Sequence, residues 1–123
     1  MNKLHNEDEI IELINNNSMA VVYFTGMDCG ACEVIKFKVE NILRKHPEIK
    51  SGEINGEEDL QIAVKYGVFS LPIFLLFIEG RETLRIGRNI DLLELERNIE
   101  RYYNMVLCQY FGHKKSNFFM LHF

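Results

Sequence analysis

The stretch Met19-Ala-Val-Val-Tyr-Phe-Thr-Gly-Met-Asp28-Cys29-Gly30-Ala31-Cys32 decides how the rest of the chain is read. Its first six residues are apolar and rich in strand formers, which predicts a buried strand. Thr25-Gly26-Met27-Asp28 reads as a turn. From Cys29 the spacing becomes helical, with Val34, Ile35, Val39, Ile42 and Leu43 expected to face inward. Two cysteines three residues apart on a helix share a face, so their thiols can approach disulfide distance. Cys29 falls at the helix N-terminus, where unpaired N–H groups and the helix dipole favour a thiolate. Cys32 falls one turn further in, shielded by the helix. An exposed, acidic thiol with a shielded partner is what thiol–disulfide exchange requires.

Upstream, Glu7-Asp8-Glu9 suits a first helical turn, Ile10, Ile11, Leu13 and Ile14 supply its apolar stripe, and Asn15-Asn-Asn-Ser18 stops it. Downstream, Pro47 closes the cysteine-bearing helix. Ile49 to Asn55 is a strand candidate. Glu57-Glu58-Asp59 opens a helix carrying Leu60, Ile62, Ala63 and Val64 that closes at Tyr66-Gly67. Pro72 to Ile78 is a strongly apolar strand. Glu79-Gly80 turns it into a second strand, Glu82 to Ile86, which Gly87 ends. Leu92, Leu95, Ile99, Tyr102 and Val106 mark a last amphipathic helix. A strand–helix–strand unit followed by a hairpin implies an α/β fold: a mixed sheet of about four strands with helices on both faces.

The chain of 123 residues, 47% hydrophobic and 26% charged, is long enough to bury a core without disulfide staples. Its net charge of −4 argues against a phosphate-backbone binder, so no nucleic-acid partner is expected. The longest apolar stretch, Leu71 to Ile78, is far short of a membrane span. The N-terminus lacks the basic and apolar regions of a secretory signal, so a reducing cytoplasm is the expected compartment. Residues 104–123 differ in composition: they hold five of the fourteen aromatics, two lysines, two histidines and no acid. This divides the chain into a domain at 1–103 and an aromatic-rich extension at 104–123, too short to build a core of its own. The apolar Tyr110-Phe111 and Phe118-Phe-Met-Leu121 suit packing on the domain, a dimer, a membrane surface, a partner or a terminus with no evolved role equally well.

Two bland readings compete for the cysteine pair. One is half a zinc site, but beyond the pair only Cys108 and scattered histidines remain, without the second close pair that structural zinc prefers. The other is two reduced cysteines with no role. Cys108 reads as a free thiol, and His113 and His122 as tail residues without metal spacing. No metal site is expected.

From Leu4 to Tyr103 the chain resembles the thioredoxin family. The resemblance rests on the strand Ala20 to Phe24 running into Cys29-Gly-Ala-Cys32, on Lys65-Tyr-Gly-Val68, and on Leu71-Pro72, with the proline forty residues after Cys32. The Glu79-Gly80 turn, Gly87 and the last amphipathic helix complete it. It implies a thioredoxin-like fold and a protein-disulfide reductase in which Cys29 attacks and Cys32 resolves. The redox-active Cys29–Cys32 disulfide would serve in place of any bound cofactor. It further implies a cis bond between Leu71 and Pro72, pairing of the Leu71 backbone with an extended substrate segment, and a substrate site drawn from Leu71, Pro72, Asp28, Gly30, Ala31 and Gly87. The implied partners are disulfide-containing proteins and an electron donor, usually a flavin-dependent thioredoxin reductase.

The departures from the family pattern carry physical consequences. Asp28 stands where tryptophan usually precedes the first cysteine, and the chain has no tryptophan. Ala31 replaces proline, which restores a backbone N–H and loosens the turn. Tyr23 occupies the place of a buried acid often assigned proton transfer, and Glu53 that of a nearby lysine. Tyr23 and Glu53 are therefore the candidates for proton transfer. Their default readings are core packing for Tyr23 and a solvated strand-end carboxylate for Glu53. Asp28, Glu33 and Glu53 oppose a thiolate, which makes the couple less oxidising and favours a reductase. The alternatives are a binding or chaperone-like module on the same scaffold with little turnover, and a narrow reductase that recognises one partner through Met27-Asp28.

Overall fold

The computed structural model describes the backbone of residues 1–122 and the side chains of residues 1–109. The elements in chain order are β1 (Asn2–Lys3), α1 (Glu7–Asn15), β2 (Met19–Thr25), α2 (Gly30–Arg44), β3 (Lys50–Asn55), α3 (Leu60–Lys65), β4 (Ile73–Ile78), β5 (Arg81–Ile86) and α4 (Leu92–His122). α4 passes through Asn104 as one continuous helix. The tail aromatics, His113 and His122 lie outside the described side chains.

The sheet has five strands in the order β1-β3-β2-β4-β5, one more than the sequence suggests. The addition is β1, two residues paired parallel to β3 through Asn2 opposite Gly52 and Lys3 opposite Glu53. So short a strand carries no periodicity to read. Its seat depends on Gly52, where a Cβ would lie 2.7 Å from Leu4 Cγ.

β2 forms the centre, parallel to β3 and antiparallel to β4. Its residues Met19 to Phe24 are all buried because both faces are covered. Alternation along the strand sends Met19, Val21 and Tyr23 toward a core with Val39, Leu43, Leu95 and Ile99 from α2 and α4. Val22 and Phe24 join the opposite core, with Ile10 and Ile14 from α1 and Ile62 from α3. A strand buried on both faces reads as a continuous apolar run, which is why its sequence shows no polar alternation.

The helix starts follow their capping residues. Asn6 accepts from Glu9 N at 2.9 Å and Asp59 from Ile62 N at 3.1 Å. α3 therefore begins at Leu60, three residues later than the acidic run Glu57-Glu58-Asp59 implies. Leu60 and Val64, four apart on α3, face outward, and so does Val34 of α2, against expectation. An apolar residue has no say over its own burial when no other element packs on that face.

The β4–β5 hairpin turns on Glu79 and Gly80, whose φ values are 51° and 80°. Two positive φ values at the centre of a two-residue hairpin suit Asn-Gly better than Glu-Gly. Glu79→Asn is therefore expected to stabilise the fold by about 0.5 kcal/mol, read as a higher midpoint in urea with an unchanged slope.

Candidate active site

β2 ends at Thr25, and five residues later, at Gly30, the chain enters α2. The residue before the cysteine, Asp28, has φ 52°, a left-handed conformation that Asp and Asn tolerate better than most residues. Cys29 is the N-cap of α2, and its Sγ accepts from Cys32 N at 3.2 Å. The side chain thus answers one of the unpaired N–H groups at the helix start. Cys29 and Cys32 form a disulfide with their Cα atoms 5.2 Å apart, inside the usual range. Cys29 is partly exposed and Cys32 fully buried, so an attacking group reaches the disulfide from the Cys29 side.

Tyr23 lies beneath the pair. It is fully buried, and its hydroxyl donates to the Cys32 carbonyl at 2.8 Å. Burial, reinforced by the charges of Glu33 and Glu53, raises its pKa far above the ordinary tyrosine value. A phenol held this firmly in its neutral form is a fixed donor at neutral pH.

Glu53 is not the solvated strand-end carboxylate expected for it. It sits mid-strand on β3 opposite Tyr23 and is 8% exposed. Lys36 of α2 places its Nζ 3.0 Å from Glu53 Oε2 and 3.6 Å from Glu33 Oε2. The Glu53 contact is close but poorly aligned as a hydrogen bond, so Oε2 is compensated by charge without a well-directed donor. Pairing with Glu53 raises the Lys36 pKa above its ordinary value, against the opposing effect of burial. Glu53 and Lys36 line a polar cleft of about 930 Å³ with Cys29, Gly30, Glu33 and Thr25, whose buried Oγ1 also has no hydrogen-bond partner.

On the other side of Cys29 a groove of about 420 Å³ is lined by Met27, Asp28, Gly56, Glu57, Leu71 and Arg88, among others. The Leu71–Pro72 bond is cis, and Pro72 is buried next to Leu71. Gly26 makes this approach possible: a Cβ there would lie 2.5 Å from Glu57 Oε1 and 2.9 Å from Leu71 Cδ1. Of the residues anticipated from sequence, Asp28, Cys29, Gly30, Glu53 and Leu71 line one or both clefts, whereas Tyr23, Ala31, Cys32, Pro72 and Gly87 line neither. Two participants were missed. Lys36 was signalled only by its position one turn after Glu33. Arg88 had no signal; it follows the end of β5 and donates from Nη2 to the Leu71 carbonyl at 3.0 Å. Among the described residues no group of three or more His, Cys, Asp or Glu side chains converges as a metal site, and no helix is long and apolar enough to cross a membrane.

A mixed sheet between two helical layers, with a disulfide at the start of α2 beside a cis-proline loop, defines a thioredoxin-like thiol–disulfide oxidoreductase. The family model for thioredoxin matches residues 2–101, and the chain belongs to that family. It is similar to the thioredoxin-like protein YdfQ of Bacillus subtilis (strain 168), with 30% identity over 105 residues, covering 85% of this chain and 94% of that protein. The thioredoxin of Pyropia yezoensis is 34% identical over 92 residues, 74% of this chain and 86% of its own. Among solved structures, Fasciola hepatica thioredoxin superposes with a TM-score of 0.72 at 30% identity, covering 82% of this chain and 98% of that one. A mutant thioredoxin from Halobacterium salinarum NRC-1 has the same fold, with a TM-score of 0.74 at 24% identity over 83% of this chain and 89% of its own. Cys29 and Cys32 are the redox-active pair of a disulfide reductase.

Two outcomes follow from this geometry. Tyr23→Phe removes the donor to the Cys32 carbonyl and should cost about 1 kcal/mol in chemical denaturation near pH 7. Because the folded-state pKa of Tyr23 is raised, its protonated form contributes fully below the unfolded value near 10, and stability falls as pH rises beyond it. The variant should therefore lose less stability than the parent between about pH 9 and 11. Asp28→Asn keeps a residue that accepts positive φ while removing a negative charge beside Cys29. It stabilises the thiolate, hence the reduced form, and should raise the reduction potential by about 10–20 mV in dithiol redox buffers.

Proposed function

We propose that the protein reduces disulfides in protein substrates within a reducing cytoplasm, with Cys29 as the attacking thiol and Cys32 as the resolving thiol. The observation that carries this reading is the asymmetry of the pair: Cys29 is accessible at the N-terminus of α2 with its sulfur on the Cys32 N–H, and Cys32 is buried behind it. In the reduced protein the Cys29 thiolate attacks one sulfur of the substrate disulfide. A mixed disulfide forms, and the other substrate sulfur leaves as a thiolate that takes up a proton. Cys32 then loses its proton and attacks Cys29 Sγ. The Cys29–Cys32 bond forms as the mixed disulfide breaks, and the substrate departs with two electrons and two protons. An external dithiol donor, a flavin-dependent thioredoxin reductase in this reading, reverses these steps to restore the dithiol.

The substrate segment docks in the groove at Leu71 and Pro72, pairing with the Leu71 backbone as an added strand. The Leu71 N–H has no hydrogen-bond partner among the described residues, which supports an open docking edge. Asp28 lines this groove and Gly30 the neighbouring cleft, which supports their contact with substrate, whereas Ala31 and Gly87 lie outside both and would meet only a longer segment. Proton removal from Cys32 falls to Glu53 rather than Tyr23. Glu53 is a carboxylate on the polar cleft that also reaches Cys29, whereas the Tyr23 phenol is already donating.

The test couples a potential with a trap. The Cys29–Cys32 couple should equilibrate near thioredoxin's potential, on the order of −270 mV and clearly below the −180 mV or so of protein disulfide isomerase. Cys29→Ser should abolish reduction of a disulfide protein, and Cys32→Ser should accumulate a mixed disulfide visible by mass. A value near −180 mV would reverse the direction of electron flow. Failure to form the intramolecular disulfide in any buffer would leave the binding-module reading in its place, with partner capture surviving the double serine variant.

A further inference from the structure

We propose that the groove selects its substrates by charge and apolarity: it takes extended segments in which the target disulfide is flanked by lysine or arginine and by a bulky apolar side chain. This rests on the docking site proposed above and assigns the substrate class of that site. Three large apolar side chains, Met27, Leu60 and Phe69, border the groove that opens onto Cys29 and Leu71, and they are 63%, 67% and 82% exposed. They come from three separate segments: the turn after β2, the first residue of α3, and the loop before Pro72. Isolated exposed apolar residues are ordinary, but three that converge beside a reactive group form a surface that gains by being covered.

Charge identifies what covers it. Asp28 and Glu57 line the same groove, and neither makes an ion pair with any described residue. The cation on that lining is Arg88, and its guanidinium is engaged with the Leu71 carbonyl. Beyond Cys29 the excess of negative charge continues. The neighbouring polar cleft carries Glu33, Glu53, Glu58 and Asp59 against two lysines, Lys3 at its far side on β1 and Lys36, which is already paired with Glu53. An acidic segment entering here meets carboxylates on both sides of the cysteine. A basic one finds two free partners for its charge and an apolar wall for its neighbour. Complementary charge of this kind acts mainly on encounter and orientation, so it should appear in the second-order rate constant and be sensitive to salt.

The test uses two synthetic disulfide-cyclised peptides, identical in ring and in a single flanking phenylalanine. One carries two lysines beside the cysteines and the other two glutamates. The full-length protein is reduced beforehand, and the rate of peptide reduction is followed by alkylation and mass. At low ionic strength the lysine peptide should react about fivefold faster or more, with the ratio shrinking below about twofold in 0.5 M salt. Glu57→Gln, isosteric and on the surface, should lower that ratio, whereas Arg88→Ala should raise it by removing the groove's cation. Equal rates, or a faster glutamate peptide, overturn the proposal and leave the reductase reading standing. A lysine preference that neither substitution alters also overturns it, because the selectivity then resides outside the groove. If neither peptide is reduced, the docking and reductase reading itself fails, and this inference fails with it.

Discussion

The double-sided burial of β2 is the constraint on which the rest of the molecule depends. A strand with apolar side chains on both faces needs a helical layer above and below it and a hydrogen-bonded neighbour on each edge. β3 and β4 supply the edges, α2 and α4 one layer, and α1 and α3 the other. Two consequences reach the active site. The chain leaves β2 at Thr25 and turns directly into α2, so the cysteine pair falls at the sheet's end and at a helix start together. β4 runs antiparallel to β2 with Ile73 opposite Phe24, so Leu71 and Pro72 arrive at that same end. Residues forty apart in sequence meet because one strand pairing leaves them no other place.

The electrostatics of the site follow from the same register. Tyr23 and Glu53 are directly paired across β2 and β3, and α2 covers that face of the sheet. The phenol reaches up to the Cys32 carbonyl, while the carboxylate meets Lys36 one turn further along the helix. A buried carboxylate without a cation would carry a large desolvation cost. Lys36 offsets it and also neutralises part of the negative field behind the cysteines. Asp28 and Glu33 remain on the solvent side of the pair, where their charge disfavours a thiolate. The balance of a helix terminus against two nearby carboxylates suits a couple that gives electrons to its substrate rather than one that takes them.

The strand–turn–cysteine–helix unit was legible because its signals are local: strand formers from Met19 to Phe24, a turn at Gly26, and a cysteine spacing that only a helical start brings onto one face. The β4–β5 hairpin was legible for the same reason. Other features depend on residues far away in sequence. Val34, Leu60 and Val64 have apolar spacing compatible with burial, yet no element packs over them. Glu53 looks like a solvated carboxylate until β1, β2 and α2 close around it, and β1 itself is too short to leave a periodic trace. Arg88 carries no motif; its meaning comes from a carbonyl seventeen residues earlier.

The sequence alone therefore determined the chemistry, a dithiol pair at a strand-to-helix junction within a thioredoxin-like order of elements. Periodicity, capping and turn preference are properties of neighbouring residues, so they survive in a linear reading. Only the tertiary structure decided which charges face the disulfide, which are neutralised, and which apolar side chains stay in water beside it. Burial and electrostatic partnership are set by whatever approaches through space, and the sheet register that brings those groups together is a property of the whole chain.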